Sequence, residues 1–196
     1  IPEYKYFTGI ANASKLLNYK VLNETGQGRV SNIISALGSV IQNRTSNKII
    51  SVCLALGNYE IDASAINLVI DEVADNGIFV VISAGNYGID DFETINALGQ
   101  NKNAIVVGAI NDKDQLTSYS SMGKSIDSNI IKPDIVAPGG SKLNQYRTII
   151  SADANSNLLT SGYGTSISAA LVSAALNILM DAKWETWSNW ESINKS

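Results

Sequence analysis

Residues 66–86, Ile66-Asn67-Leu68-Val69-Ile70-Asp71-Glu72-Val73-Ala74-Asp75-Asn76-Gly77-Ile78-Phe79-Val80-Val81-Ile82-Ser83-Ala84-Gly85-Asn86, carry a helix signal, a stop and a strand signal in that order. Ile66, Val69, Ile70, Val73 and Ala74 recur at the helical period, and Asn76-Gly77 ends the pattern as helix C-termini do. Ile78 to Ser83 then reads as a strand apolar on both faces, the mark of a parallel strand covered by helices on each side. Small residues and an asparagine follow at its carboxyl end, where open α/β sheets place their ligands.

The same alternation extends in both directions. Strands are predicted at Lys15 to Leu22, Ile49 to Leu54, Ala104 to Ala109 and Ile135 to Ala137, and a further helix through Val30, Ile33, Ile34, Leu37, Val40 and Ile41. Thr148 to Ser151 and Asn157 to Ser161 flank a polar turn and predict a hairpin. A last apolar helix opens at Gly164 and runs to about Met180. The pattern predicts one α/β domain, a three-layer sandwich around a mainly parallel sheet. In the tail from Asp181 to Ser196, Trp184, Trp187 and Trp190 stand three residues apart and predict a terminal helical turn that lays an aromatic face on the domain.

A chain of 196 residues buries roughly 70% of its unfolded surface and folds without staples. Its net charge of −4 comes with scattered lysines and arginines, so no basic stripe forms to neutralise phosphates and nucleic acid is not an expected partner. No run is expected to cross a bilayer. Cys53 is the single cysteine, which excludes an internal disulfide, and it is expected to sit buried as a small hydrophobe.

Three segments are candidates for chemistry. Gly164-Thr165-Ser166-Ile167-Ser168-Ala169-Ala170 puts a serine at a helix N-terminus, where free N–H groups and the helix dipole favour negative charge. Alone, such a triplet reads equally as a cap. Ala84-Gly85-Asn86 offers a carboxamide able to donate to a developing oxyanion, or a plain turn after the strand. Ser118-Tyr119-Ser120-Ser121-Met122-Gly123 and Lys132-Pro133-Asp134-Ile135-Val136-Ala137-Pro138-Gly139 are, taken singly, turns and a proline-bounded strand. The chain has no histidine, so a serine nucleophile finds no imidazole base within it. Either the base lies outside these residues, or the serine is not catalytic. Gly26-Gln27-Gly28-Arg29-Val30-Ser31 also resembles a dinucleotide-binding turn, but its third glycine is replaced by Ser31 and no acidic residue ends the next strand.

In this order and at these spacings, AGN, SYSSMG, KPDIVAPG and GTSIS resemble the subtilisin-like serine proteases, the subtilases. Gly9-Ile10-Ala11, Lys20-Val21-Leu22 and Val106-Val107-Gly108-Ala109 extend the resemblance from about Phe7 to about Met180. It implies a subtilisin-like fold truncated at its N-terminus, with residues 1–196 forming part of a catalytic domain that hydrolyses peptide bonds through an acyl-enzyme. Ser166 would be the nucleophile and Asn86 an oxyanion donor. Gly26, Gln27 and Gly28, with Cys53, Leu54 and Ala55, would be the edges that hold an extended substrate, and Ala84 and Gly85 would wall its side-chain pocket. The catalytic Asp and His would lie on a missing N-terminal segment, so the partners implied are a polypeptide substrate and that segment or a propeptide. The resemblance also favours an extracellular location. Calcium is common among subtilases, and Asp90, Asp91 and Glu93 offer hard oxygen ligands, but no metal or other cofactor is assigned. Four positions depart from the family pattern: in Cys53-Leu54-Ala55, which stands for Ser-Leu-Gly, the first and third differ, and Asn96 and Ala170 stand where proline is usual. A non-catalytic peptide-binding or regulatory module on the same scaffold is the alternative.

Overall fold

The computed structural model describes residues 8–57, 62–88, 94–124, 130–142, 148–154 and 156–184. Four parallel strands form the central sheet in the order β1 (Ser51–Leu54), β2 (Phe79–Ser83), β3 (Ile105–Ile110) and β6 (Ile135–Pro138). Ser51 aligns with Phe79, Val81 with Ile105 and Val107 with Ile135. Two small antiparallel pairs accompany it, β4 (Gly123–Lys124) with β5 (Ile131–Lys132) and β7 (Ile149–Ala152) with β8 (Leu159–Gly162). The β7–β8 pair is the hairpin expected from sequence, shifted by a residue or two.

Helices cover both faces of the sheet. On one side, α1 (Val30–Gln42) buries Ile33, Leu37 and Val40, and α3 (Ser64–Asp75) buries Ile66, Ile70 and Val73. These side chains join Val80, Ile82 and Val106 in the larger core cluster. A short α2 (Arg44–Asn47) follows α1. Asn76 caps α3 and Gly77 turns to φ +71°, its N–H bonded to Ala74 O, while the Ile78 N–H reaches back to Val73 O. These bonds satisfy helix-end carbonyls and drop the chain straight into β2.

On the other face lies α4 (Thr165–Trp184), with Ala169, Val172 and Leu176 packed against Val81, Val107 and Ala137. By length and composition, Thr165–Lys183 of this helix is apolar enough to cross a membrane, contrary to the expectation from sequence. Its contacts with β1, β2, β3 and β6 make it a layer of the sandwich.

The run Lys15 to Leu22 is not a strand: among the described residues it has no ladder partner, and β1 is the edge of the sheet they form. A strand is defined by its neighbour's hydrogen bonds, and an apolar run without a ladder partner cannot form one. Leu16 and Leu17 are consequently exposed. Cys53 corrects a second expectation. It lies on the free edge strand and is exposed, although the protein packed around it pushes its thiol up to about 11. Trp187 and Trp190, and Asp90, Asp91 and Glu93, lie outside the described residues.

Candidate active site

The carboxyl ends of β1 and β2 and the start of α4 meet at one place. Gly164, at φ +142°, donates its N–H to Gly139 O (2.8 Å) and sits against the Asn86 carboxamide, 3.3 Å from where a Cβ would stand. A side chain there would be strained and would crowd that carboxamide. The next residue, Thr165, is fully buried and fixes Asn86. Its backbone N–H donates to Asn86 Oδ1 at 2.9 Å and its hydroxyl donates to the same oxygen at 3.0 Å. The hydroxyl in turn accepts the Gly85 N–H at 3.2 Å. Two donors on one oxygen settle which end of the amide is the carbonyl. Asn86 Nδ2 makes no hydrogen bond among the described residues, and the side chain is exposed to solvent.

Ser166 follows in the first turn of α4, where backbone N–H groups lack intrahelical acceptors. Its hydroxyl donates to the carbonyl of Ala55, just past the end of β1, at 3.4 Å. Hydrogen bonds thus gather Ser166, Asn86, Ala55 and Gly85 at one place, with Ala84 buried behind them and Cys53 and Leu54 leading up to Ala55. The Ala55 carbonyl is the partner of the serine hydroxyl, and the described residues provide no imidazole or carboxylate hydrogen-bonded to it.

Gly26, Gln27 and Gly28 lie in the turn between the Lys15–Leu22 run and α1. Asn23 Oδ1 accepts the N–H groups of Thr25 (3.0 Å) and Gln27 (2.9 Å), and Gly26 turns at φ +74°. A Cβ on Gly28 would collide with the Val21 carbonyl. The glycines therefore serve the turn, and within the motif the N–H groups of Gly26 (to Asn23 O, 3.1 Å) and Gln27 are already taken by Asn23, which argues against the dinucleotide reading. No hydrogen bond among the described residues links this turn to Ser166.

The remaining motif segments build the floor. Tyr119 directs its hydroxyl to Gly139 O (2.7 Å) and Gly140 O (2.8 Å), and burial raises the pKa of its phenol. Ser121 accepts the Tyr87 N–H (3.1 Å), and its own N–H donates to Gly85 O (3.0 Å). Lys132, almost wholly buried, donates to Asp134 (2.7 Å) and to Ala104 O (3.0 Å), while Asp134 also accepts the Val106 N–H (2.7 Å). Ser168 donates toward the carbonyls of Ala137 and Pro138. Asn96, notable in the sequence only as a departure from proline, ties the ends of β1 and β2 together: its Nδ2 donates to Leu56 O (2.8 Å) and Ser83 O (3.2 Å). Neither this clamp nor the role of Thr165 is foreseen from sequence. Among the described residues no group of three or more His, Cys, Asp or Glu is placed to hold a metal ion.

The model of the subtilase family, peptidase S8, matches residues 2–194. Subtilisin from Bacillus pumilus is 30% identical over 182 residues, covering 92% of this chain and 58% of its own length. Subtilisin-like protease 2 from Pseudogymnoascus destructans is 33% identical over 132 residues, 67% of this chain and 30% of that protein. A cuticle-degrading serine protease from Arthrobotrys oligospora is 30% identical over 140 residues, 71% of this chain and 31% of that protein. The chain thus spans between about a third and three fifths of the length of these relatives. Since the family model covers nearly every residue, this chain belongs to the subtilase family of serine proteases.

Proposed function

We propose that this chain is the serine-bearing part of an endopeptidase that cleaves peptide bonds through an acyl-enzyme on Ser166. The observation that carries the reading is the clamp of Thr165 on Asn86. With Oδ1 held by two donors, the carboxamide can turn only its Nδ2 to a ligand. Beside it, the Ser166 N–H supplies a second donor at the positive end of α4. Attack of the Ser166 oxygen on a carbonyl carbon would move charge onto the carbonyl oxygen, where two preorganised N–H groups stabilise it more than they stabilise the neutral substrate.

Attack also requires that the serine lose its proton, and here the hydroxyl merely donates to the Ala55 carbonyl, which is no base. The base and the group orienting it are assigned to a segment outside these 196 residues, carrying Asp and His, and the chain alone is inactive. An extended substrate lies along Cys53–Ala55 and the Gly26–Gly28 turn, with Ala84-Gly85 beside its side chain, held by main-chain bonds. An extracellular location accords with relatives such as the cuticle-degrading protease. A fluorophosphonate probe applied to the parent protein should label Ser166 and spare a Ser166→Ala variant. No labelling of the folded protein would refute catalysis.

The hydroxyl resting on a carbonyl, with no histidine in the chain, favours a second reading, a peptide-binding module without catalysis. It requires a parent reading frame that lacks the Asp and His motifs.

A further inference from the structure

β1 and β2 are ladder neighbours as far as Leu54 and Ile82, and beyond that register the chain continues as Ala55–Gly57 on one side and Ser83–Gly85 on the other. The space between these two continuations opens beside Ser166, whose hydroxyl rests on Ala55 O, and it is where the proposed reading puts the side chain of the residue whose carbonyl is attacked. A side chain of the protein already stands in it. Asn96 Nδ2 donates to Leu56 O on the first wall (2.8 Å) and to Ser83 O on the second (3.2 Å), so one amino group lies between the two carbonyls. Its Oδ1 accepts the Leu98 N–H (3.2 Å), and its main-chain N–H donates to Ala84 O (2.8 Å). The residue is 2% exposed. A short side chain bonded at both ends of its amide cannot swing aside without leaving the Leu56 and Ser83 carbonyls short of a donor in a buried place. The walls are closed as well: a Cβ on Gly57 would collide with the Asn96 carboxamide, and one on Gly85 would stand 2.9 Å from Ser121 Oγ and 3.1 Å from the Tyr87 ring.

We infer that Asn96 is a specificity-determining residue: it floors this pocket close to Ser166, and the substrates are peptides with glycine or alanine immediately before the scissile bond. The inference rests on the proposed reading of the chain as part of a protease and names the substrate class of that same site. A hydrogen atom or a methyl group stops short of the carboxamide. A leucine or phenylalanine side chain has to displace it and break both wall-to-wall bonds. A lysine or glutamate side chain meets the same obstacle and finds no counter-charge, because Ala55–Gly57, Ser83–Gly85 and Asn96 are all uncharged. A pocket of fixed size discriminates by roughly 10- to 200-fold for each methylene that does not fit, so alanine should be preferred over any of these four by at least about 100-fold in kcat/KM.

The test uses the parent protein and a series of peptides that differ only in the residue before the scissile bond: glycine, alanine, leucine, phenylalanine, lysine or glutamate. In the unsubstituted parent, kcat/KM should be high for the first two and at least about 100-fold lower for the rest. Asn96→Gly empties the floor and should reverse the order, raising kcat/KM for the leucine and phenylalanine peptides while that for alanine falls. A residue that only tied β1 to β2 would lower every substrate together and keep their order, and that result overturns the inference. Should Asn96→Gly not fold, the unsubstituted profile decides, since cleavage after leucine or phenylalanine within about 10-fold of alanine overturns it equally. The matching product peptides, each ending in a free carboxylate, are also titrated calorimetrically into a Ser166→Ala parent, which ranks the pocket without chemistry. Preferential binding of the alanine product, with no cleavage and no fluorophosphonate labelling of the unsubstituted parent, would sink proteolysis and leave the pocket assignment intact. Cleavage with no preference among the six would do the reverse, and neither cleavage nor preferential binding would end both.

Discussion

Replacing Thr165 by valine isolates the clamp. The two side chains have nearly the same shape, so the change removes one hydroxyl from a fully buried position and little else. Two bonds go with it: the donor to Asn86 Oδ1 at 3.0 Å and the acceptor for the Gly85 N–H at 3.2 Å. The Thr165 N–H, at 2.9 Å, still holds Asn86. A net hydrogen bond is worth about 1 kcal/mol, so half of the clamp lost should slow turnover roughly 5- to 10-fold, at about 1.4 kcal/mol per decade. An unpaired Gly85 N–H should cost about 1–3 kcal/mol of folding stability as well. Asn86→Leu removes the donor itself and should cost about 10² to 10³ in kcat, the loss established for an oxyanion-hole asparagine in a subtilisin, a member of this same family. The assay is kcat and KM of the parent protease on a peptide substrate, for both single variants and the double variant. If Thr165 acts through Asn86, kcat falls with KM almost unchanged, and Thr165→Val costs little once Asn86 is leucine. Additive losses in the double variant, or a rise in KM alone, would refute the assignment.

Three further outcomes follow from the scaffold. Lys132→Met leaves Asp134 without its cation and Ala104 O without its donor, and should lower stability by roughly 3 kcal/mol in denaturant titration, the low end for broken buried pairs because the Asp134 side chain is 36% exposed. An unchanged midpoint would show that the pair contributes nothing. Gly57→Ala should lower Tm by several degrees, since Gly57 sits at φ +132° and a Cβ would collide with the Asn96 carboxamide that ties β1 to β2; calorimetry checks it, and an unaltered Tm argues against the clamp. In the folded 196-residue chain, iodoacetamide alkylation of Cys53 should keep accelerating from pH 9 to about pH 11, because the thiol stays protonated there. The unfolded thiol loses its proton from about pH 9, so over this window the unfolded state binds fewer protons and stability falls as pH rises. A plateau by pH 9 would contradict the raised value.

What could be read from the sequence was whatever is encoded within a dozen neighbouring residues. The apolar period of α1 and α3, the Asn76-Gly77 stop and the doubly apolar β2 are each written in their own segment, and each forms as its pattern demands. GTS and AGN were legible as a pair of candidates for the same reason, as small polar residues at a helix start and at a strand end. The bond that joins them was not, because Thr165 and Asn86 stand 79 residues apart and nothing local marks a threonine as an anchor. Asn96 illustrates the same limit: its partners Leu56 O and Ser83 O are carbonyls, which every residue possesses and no side-chain pattern advertises. The Lys15–Leu22 run shows the converse. Its composition suits a strand, yet strand formation is a property of two chains at once, and its neighbouring position is a cavity lined by the edge of β1. The exposure of Cys53 follows directly, since burial of an edge-strand residue depends on whether another strand lies beside it. The lack of a ladder partner on that side of β1 among the described residues thus accounts for the mistaken expectations about Lys15–Leu22 and Cys53. The cavity that exposes them reaches Leu54 and Leu56, on either side of the Ala55 carbonyl that holds Ser166, the one residue whose proposed chemistry also needs a group the chain does not hold.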